Sequence, residues 1–500
     1  MLRILLFSTW TTWLASQCLF PMIMFVDRRL RRRPLEQLPP VSHWPPISVQ
    51  LAVYREHRVV RELIDTIVAI DYPRDALRID VLDDSTGADA TLTEALVRES
   101  AAAGNPVRYV NRGSRSGFKA GALNYGLSLV PGELIAYFDA DCRPRPNFLR
   151  DTVPFFADPG VAAVQGRWDF CNENHSARTL LQAATFGWMF KYEQPIRNRL
   201  DLPAQFMGSA AVWRKSAIEA VGGWQESPFT AEDLDMTYKV AAAGWRVLHQ
   251  PSLVAVTTAV EDRLAFRAQQ RRWGRSQAQV MFDHWRYLAR LPRSSAALVV
   301  SILVAWEMGL LVLPAVLLSV VAILTSTERT TAWIAIHVLV SASVIGVSLL
   351  AVLLPVPASS QRPWLMRIPR AAALVAEALG ASVSYGFGVF DFVRGTPAEF
   401  VTTPKGGVTA TMRGSTWRWL ANHVGPLLVE GVLGTTTLLA ASIAVTRYPE
   451  AIVPLITVGA GLLSSFTQTT VAAFAHFARL RAEARSTDAA GFGNSSNASA

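Results

Sequence analysis

Three acidic pairs and one cationic–aromatic cluster are the residues of this chain whose types and spacing could do chemistry. They are Asp83-Asp84, Asp139-Ala140-Asp141, Glu232-Asp233 and Gln269-Gln270-Arg271-Arg272-Trp273. Carboxylates can hold a hard cation or accept a proton, and a guanidinium can pair with phosphate oxygens. Each motif alone is weak, because a carboxylate pair is usually a solvated turn or a helix cap. In this order they supply what transfer of a sugar from a nucleotide-sugar requires.

Asp139 and Asp141 form the candidate metal site. They directly follow the apolar run Leu134–Phe138 and are one residue apart, so both can direct oxygen atoms at one ion. Mg²⁺ or Mn²⁺ prefers such ligands together with substrate phosphates, and it would neutralise charge on a departing diphosphate. The alternative is a solvated turn. The apolar strand before the motif, and Asp83 after an earlier strand, favour the metal site.

Asp233 is the candidate general base. An inverting transfer needs one carboxylate to take the proton of the acceptor hydroxyl as that oxygen attacks the anomeric carbon. Glu232 and Asp235 compete for this role on sequence alone. A helix N-terminus capped by Thr230, with acidic residues answering the macrodipole, is the structural alternative. Both interpretations can hold for one residue.

Arg272 and Trp273 are candidates for the diphosphate and for the acceptor. The guanidinium can pair bidentately with phosphate oxygens, and the indole can stack on a sugar ring. Gln269 would form hydrogen bonds nearby. The alternative is an amphipathic helix at a membrane surface with snorkelling arginines, which this segment can also be. Trp168 and Trp224 are candidates for lining the acceptor path, with burial in the core as an equal alternative.

Alternating strand and helix patterns must position these side chains. The patterns are Ile47–Val53, a helix over 57–70, Ile79–Leu82, a helix over 89–103, Val107–Val110, a helix over 118–129 and Leu134–Phe138. Such alternation predicts βαβ units and a mainly parallel sheet. Ligands of these sheets bind outside the carboxyl ends of the strands. Asp83 and Asp139 follow two of the strands and are therefore expected to face one crevice.

Six motifs between residues 45 and 290 resemble glycosyltransferase family 2. They are Val81-Leu82-Asp83-Asp84-Ser85-Thr86, Lys119-Ala120-Gly121-Ala122-Leu123-Asn124, Phe138-Asp139-Ala140-Asp141, Gly208-Ser209-Ala210-Ala211-Val212-Trp213-Arg214, Ala231-Glu232-Asp233 and Gln269-x-x-Arg272-Trp273. Within the family they look like the processive cellulose synthase-like branch, and most like its glucomannan and xyloglucan-backbone synthases. The resemblance implies an α/β GT-A fold with a Rossmann-like sheet.

The resemblance also implies residue roles. The nucleotide-sugar would be bound by Tyr54, Glu56, Asp83, Lys119, Asp139 and Arg272. Lys119 resembles the family's lysine near the phosphates, although a surface lysine is the plain alternative. Arg55 replaces the family's asparagine, a departure that affects the base contact. Asp233 matches the last residue of a Thr-Glu-Asp motif whose first residue is here Ala231.

The segment Phe400-Val401-Thr402-Thr403-Pro404-Lys405-Gly406 looks like the gating loop of bacterial cellulose synthases. Its Thr402, Thr403 and Lys405 would close over bound nucleotide. An ordinary juxtamembrane loop is the alternative.

Charge and hydropathy indicate a membrane protein. The net charge is +9, yet the basic clusters follow apolar stretches directly, at residues 28–33 and 479–485. This placement favours membrane topology and lipid contact over nucleic acid, which is not expected as a partner. Three cysteines without metal-like spacing suit a reducing, cytoplasmic compartment for the catalytic domain. We expect an integral protein of a bacterial inner membrane.

The domain organisation follows from these patterns. We expect a transmembrane helix in 1–27, the catalytic domain in 45–290, pairs of transmembrane helices in 296–354 and 423–478, and a disordered tail in 486–500. Residues 362–415 would hold an interfacial helix and the gating-type loop. The apolar segment 371–393 could span or lie at the interface. The interface is favoured because every basic loop then stays cytoplasmic.

Three functions compete. The leading one is transfer of hexose from UDP-glucose or GDP-mannose to a growing β-linked polysaccharide, with translocation of the product. The second is a non-processive transfer to a lipid acceptor. The third is a transporter or scaffold with a degenerate nucleotide-binding domain, which the intact carboxylates disfavour. The sequence names neither the donor sugar nor any export partner.

Overall fold

The computed structural model describes residues 40–199, 201–227, 231–290, 308–325, 367–396 and 416–495. The strands of this part are β1 Ile47–Val53, β2 Leu77–Asp83, β3 Val107–Val110, β4 Leu134–Asp139, β5 Arg143–Pro144, β6 Val161–Phe170, β7 Ala211–Arg214 and β8 Arg246–Thr257. Its α-helices are α1 His57–Val68, α2 Ala88–Ala102, α3 Phe118–Ser128, α4 Phe148–Thr152, α5 Ala177–Trp188, α6 Gln194–Arg199, α7 Lys215–Ala220, α8 Glu232–Ala242, α9 Arg263–Asp283, α10 Trp285–Arg290, α11 Met308–Thr325, α12 Arg367–Val393, α13 Thr416–Arg447 and α14 Ile452–Ser495.

The strands form one mixed sheet in the order β3-β2-β1-β4-β7-β6-β8-β5. The half from β3 to β4 is parallel, as the βαβ alternation predicts. In the other half, β7 runs antiparallel to both β4 and β6, and β5 antiparallel to β8. The predicted α/β GT-A class is confirmed. The sheet is mixed, because β6 and β8 are again parallel to each other while β7 and β5 run antiparallel to their neighbours.

Strand register brings the acidic motifs to one edge of the sheet. In the central strand β1, Val53 pairs with Asp83 and Ala52 with Asp139. Both aspartates therefore end strands that flank β1, at the carboxyl edge where a crevice opens in such sheets.

Apolar side chains cover both faces of the sheet. Helix α1 packs Val60, Leu63, Ile64 and Ile67 onto one face, at the i, i+3, i+4, i+7 spacing of an amphipathic helix. The other face packs against Leu123, Trp213 and Trp224. A sheet that is covered on both faces holds its carboxyl edge rigidly.

Among the helices that the structure describes, three are long and apolar enough to cross a membrane, in the segments Ala372–Val393, Val424–Thr446 and Pro454–Ala478. The last two coincide with the pair predicted in 423–478. Helix α14 continues to Ser495 and so enters the tail predicted to be disordered. Alanines at 482, 484, 489 and 490 favour helix there. The segments predicted in 1–27 and 331–354 lie outside the described residues.

Candidate active site

A cleft of about 310 Å³ opens at the carboxyl edge of the sheet, above β1 and β4. It collects nearly all site residues predicted from the sequence. Its walls include Tyr54, Glu56, Lys119, Asp139, Asp141, Asp233, Gln269, Arg272 and Trp273. Residues separated by more than 200 positions in the chain therefore converge on one site.

Asp83 is the exception among the described residues. It is 1% exposed and lies beneath the cleft, where its carboxylate accepts hydrogen bonds from Ser85 N (2.8 Å) and Tyr109 Oη (3.1 Å). Burial raises the pKa of Asp83, against the effect of these hydrogen bonds. Asp84 lines the cleft instead, held by a bidentate pair from Arg112 at 2.7 Å and 2.7 Å. Successive residues of an extended chain face opposite sides, so only one of the pair reaches the cleft.

Lys119 lies at the centre of the acidic groups. Its Nζ donates to Asp139 Oδ1 at 2.6 Å and to Gly208 O at 2.8 Å, and it lies 3.7 Å from Glu232 Oε1. Burial lowers the pKa of Lys119, but the charges of Asp139 and Glu232 outweigh it, so the pKa is raised overall. The lysine is therefore charged and links the metal candidate to helix α8.

Asp139 and Asp141 suit a divalent cation that keeps phosphate ligands. Asp139 is fixed by its backbone N, which donates to Ser209 Oγ at 2.8 Å, and Asp141 Oδ2 accepts from Thr257 Oγ1 at 2.9 Å. Within the described residues, no group of three or more His, Cys, Asp or Glu side chains could hold an ion. Two carboxylates with substrate oxygens are what Mg²⁺ or Mn²⁺ uses at such sites.

Helix α8 begins at Glu232 and carries the base candidates in its first turn. Glu232 and Asp233 line the cleft. Asp235 does not, because it is buried against His284 Nε2 and Lys239 Nζ, each at 2.8 Å. The helix geometry therefore excludes one of the three competing carboxylates. Thr230, the predicted cap, lies outside the described residues.

Asp233 has the most perturbed acidity among these carboxylates. Burial raises its pKa to about 7, aided by the charge of Glu232 and opposed by that of Lys119. Its Oδ1 accepts a hydrogen bond from Leu234 N at 2.8 Å. A carboxylate with a pKa near neutrality is suited to exchange a proton during a reaction.

Helix α9 contributes Gln269, Arg272 and Trp273 to the opposite wall. Burial lowers the pKa of Arg272, while the charges of Glu232, Asp233 and Asp139 oppose this. Gln269 Oε1 is buried and has no hydrogen-bond partner among the described residues. Such an orphaned polar atom beside a cleft is suited to a ligand hydroxyl.

An aromatic wall extends from Trp273. The sequence predicted Trp168 as a candidate for lining the acceptor path, but it did not predict Phe170 or Phe186. The ring of Trp273 lies 5.9 Å from that of Phe186, edge to face, and Phe186 lies 5.3 Å from Trp168 and 5.7 Å from Phe170. Trp168 and Phe170 are two apart in β6 and share a face, a period that could have revealed Phe170 as well. Trp224, by contrast, is buried in the core.

Tyr54 is covered by Arg115, whose guanidinium carbon lies 3.6 Å from the ring centroid. Arg115 was also missed, because nothing in its local pattern marks it. Three non-glycine residues with positive φ lie in the loops of this cleft: Arg55 (57°), Phe118 (53°) and Ala210 (58°). Backbone strain of this kind is concentrated at functional sites.

Thr402, Thr403 and Lys405 lie outside the described residues. Their gating role stays a prediction.

Comparisons with known proteins identify the family that the chain resembles. A family model, "Glycosyl transferase family group 2", matches residues 134–347. The rice "Probable glucomannan 4-beta-mannosyltransferase 7" is 37% identical over 237 residues, 46% of this chain and 40% of that protein. "Glucomannan 4-beta-mannosyltransferase 2" of Arabidopsis thaliana is 35% identical over 239 residues, 46% of this chain and 44% of that protein. The chain thus spans less than half the length of these relatives.

A solved structure shares the fold. "Mannosyltransferase PcManGT from Pyrobaculum calidifontis in complex with GDP-Man and Mn2+" aligns with a TM-score of 0.51 and 20% identity, covering 79% of this chain and 100% of that one. The family resemblance is confirmed: residues 134–347 match the glycosyltransferase family 2 model, the fold is of the GT-A class, and the chain is similar to glucomannan mannosyltransferases.

Proposed function

We propose that this protein is a membrane-embedded, inverting glycosyltransferase that adds hexose from a nucleotide-sugar to a growing β-linked polysaccharide. One observation carries the proposal. Asp139, Asp141 and Asp233 converge with Lys119 and Arg272 in a single cleft at the carboxyl edge of the sheet. This is the set of groups that transfer with a diphosphate leaving group needs.

The donor side of the cleft holds the nucleotide-sugar. Tyr54 and Asp84 lie where the base and ribose enter, and Asp83 supports this wall from below. Asp139 and Asp141 would hold Mg²⁺ or Mn²⁺, which when bound draws negative charge from the leaving diphosphate. Arg272 pairs with the phosphates from the opposite wall, so the leaving group needs no proton.

The acceptor side performs the proton transfer. The acceptor hydroxyl donates its proton to Asp233 as its oxygen attacks the anomeric carbon from the face opposite the diphosphate. Lys119 keeps the ionised form of Asp233 accessible near neutral pH, because its charge opposes the rise in pKa. The sugar at the acceptor end stacks on Trp273, and Gln269 Oε1 accepts a hydrogen bond from one of its hydroxyls.

We also propose that α12 lies at the membrane interface, as the charge pattern predicts. By its length and composition alone, α12 could span a membrane. However, it runs parallel to α9: Glu377 meets Arg263, Ser384 meets Arg267 and Asp391 meets Arg271. Helix α9 carries cleft residues of the catalytic domain, which we place at the cytoplasmic surface. Because α12 pairs with α9 along its length, α12 should lie at the same depth relative to the membrane.

The test is incorporation by purified membranes containing the protein. Radiolabelled GDP-mannose and UDP-glucose are supplied separately with Mg²⁺ or Mn²⁺, and the product is sized and digested with linkage-specific hydrolases. GDP-mannose is tested first because the curated relatives are named mannosyltransferases. A β-linked polymer is expected with one donor. No transfer from either donor would overturn the proposal, and a short product that partitions into lipid solvent would replace polymer synthesis by lipid glycosylation.

A further inference from the structure

Helix α9 carries a second set of residues on the face away from the cleft. Arginines recur at four-residue spacing, as Arg263, Arg267, Arg271 and Arg275. Four residues are slightly more than one helical turn, so these side chains form a row along the helix. The cleft residues Arg272 and Trp273 lie on the other side of the same helix.

The row is paired with acidic residues of two helices, α12 and α13, and with polar residues of a third, α14. Arg263 binds Glu377 of α12 through two hydrogen bonds, at 2.6 Å and 3.2 Å. Arg271 binds Asp391 of α12 in the same bidentate way, at 2.6 Å and 2.9 Å. The row also reaches α14, where Gln468 accepts from Arg263.

Arg267 is the most buried member that has a charged partner in another helix. Its side chain is 3% exposed and that of Glu430 in α13 is 1% exposed, and the two lie 2.9 Å apart. Ser384 of α12 and Ser465 of α14 accept further hydrogen bonds from the same guanidinium. One arginine of the catalytic domain therefore contacts three helices of the membrane region.

The seam between α9 and α12 is also closed by glycines. A side chain at Gly380 would collide with the Arg267 guanidinium, and one at Gly388 would collide with the backbone of α9. At Gly274, an added side chain would meet the backbone of Tyr385. The helices are thus in backbone contact, and the ion pairs fix the rotation of one helix relative to the other.

Stability alone is a poor explanation for this row. A buried ion pair gains little over an apolar pair of the same volume, because desolvation offsets the attraction. Its best-attested effect is to specify one arrangement among several. A rotation of α9 about its axis would separate three ion pairs at once, and the same rotation would turn Arg272 and Trp273 out of the cleft.

We infer that six residues orient the cleft face of α9 through the membrane helices. These positioning residues are Arg263, Arg267 and Arg271, with Glu377, Glu430 and Asp391. The inference rests on the proposed function, since it assigns the row to the orientation of the diphosphate-binding and acceptor-binding side chains. The membrane helices then set the geometry of transfer in addition to anchoring the domain.

The experiment replaces the central pair by apolar residues of similar size, Arg267→Met with Glu430→Leu, in the full chain reconstituted in lipid nanodiscs. The thermal midpoint Tm reports whether the protein is folded, and the Kd for the free nucleoside diphosphate reports whether the donor wall is intact. The kcat and the acceptor KM report positioning. Because a misplacement of about 1 Å can cost roughly 100-fold in rate, we expect kcat to fall about 10- to 100-fold and acceptor KM to rise, at a native Tm.

A matched control is Arg61→Met with Glu99→Leu, at an exposed ion pair that joins α1 to α2. This control should change neither kcat nor the acceptor KM. Native kcat and acceptor KM in a folded Arg267→Met/Glu430→Leu protein would overturn the inference. If that protein does not fold, Arg271→Met with Asp391→Leu, at the more exposed end of the row, decides by the same criteria. Absence of transfer by the unsubstituted chain would instead count against the proposed function.

Discussion

Lys119 Nζ lies 2.6 Å from Asp139 Oδ1, so a lysine of the first turn of α3 is bound to the strand-end carboxylate proposed to hold the metal. The same ammonium group faces Glu232 and opposes the raised pKa of Asp233. Donor binding and base acidity thus depend on one side chain.

Lys119→Met should therefore change two properties together. Transfer should slow by about 10- to 100-fold, because a charge-assisted hydrogen bond contributes roughly 1.5–3 kcal/mol. The pH midpoint of kcat/KM should also move upward, because the positive charge that favours ionised Asp233 is gone. Lys215→Met, which removes a lysine bonded to Val130 O, is the control. An unchanged midpoint would separate Lys119 from the base.

The rate of transfer should depend on pH through Asp233. Its raised pKa of about 7 means that the ionised base is the minor form below neutrality. The kcat/KM of the free enzyme should rise about tenfold per pH unit below that pKa and level above it. Initial rates between about pH 5.5 and 8.5 test this, and a flat profile would contradict the assignment.

Asp233→Asn should abolish transfer and stabilise the fold. The loss of the base should cost roughly 10²–10⁴-fold in kcat, with nucleotide binding retained. A carboxyl whose pKa is raised in the folded state contributes stability below its unfolded pKa and loses it as pH rises through about 7. The asparagine variant should therefore have the higher Tm at pH 8, and the difference should vanish in acid. Equal Tm values at pH 8 would argue against the buried charge.

Asp139→Asn and Asp141→Asn should each weaken metal dependence. Removal of one anionic ligand should raise the Mn²⁺ concentration that gives half-maximal activity, and titration of Mn²⁺ by electron paramagnetic resonance measures binding without turnover. Asp71→Asn, at an exposed pair with Arg150, is the control. Retention of native Mn²⁺ affinity in both variants would remove the proposed ligands.

Two tryptophans should respond in opposite ways to alanine substitution. Trp273→Ala should raise the acceptor KM and shorten the product with little change in Tm, because its ring faces the cleft. Trp224→Ala should destabilise the domain by about 3–5 kcal/mol, because its side chain fills the core beside Tyr137 and Trp213. Kinetics and thermal unfolding of both variants distinguish the roles.

Local periodicity explains how much of the fold could be predicted. The strand β1 begins and ends at the predicted residues, and helix α3 ends within one residue of its predicted end, because burial on a regular element leaves a regular pattern. The strands β6 to β8 were not predicted, since their partners are distant in sequence and their pairing is partly antiparallel.

Side-chain direction explains what was missed at the site. The sequence analysis assigned the nucleotide contact to Asp83, whereas the pleat of the chain buries Asp83 and brings Asp84 to the cleft. On sequence alone, Asp233 and Asp235 compete for the role of general base. The rotation of α8 places Asp233 in the cleft and buries Asp235 against Lys239. The arginine row of α9 is visible in the sequence as a four-residue repeat. Its acidic partners on α12 and α13 could not be predicted, because they lie more than 100 residues away in the chain.

The glycine seam between α9 and α12 has a practical consequence for handling the protein. The backbones of α9 and α12 are in contact at Gly274 and Gly388, so the wall that carries Trp273 cannot move independently of α12. A detergent that inserts between these helices should abolish transfer while leaving the α/β domain folded. Extraction conditions are therefore best chosen by measuring turnover and not by monodispersity.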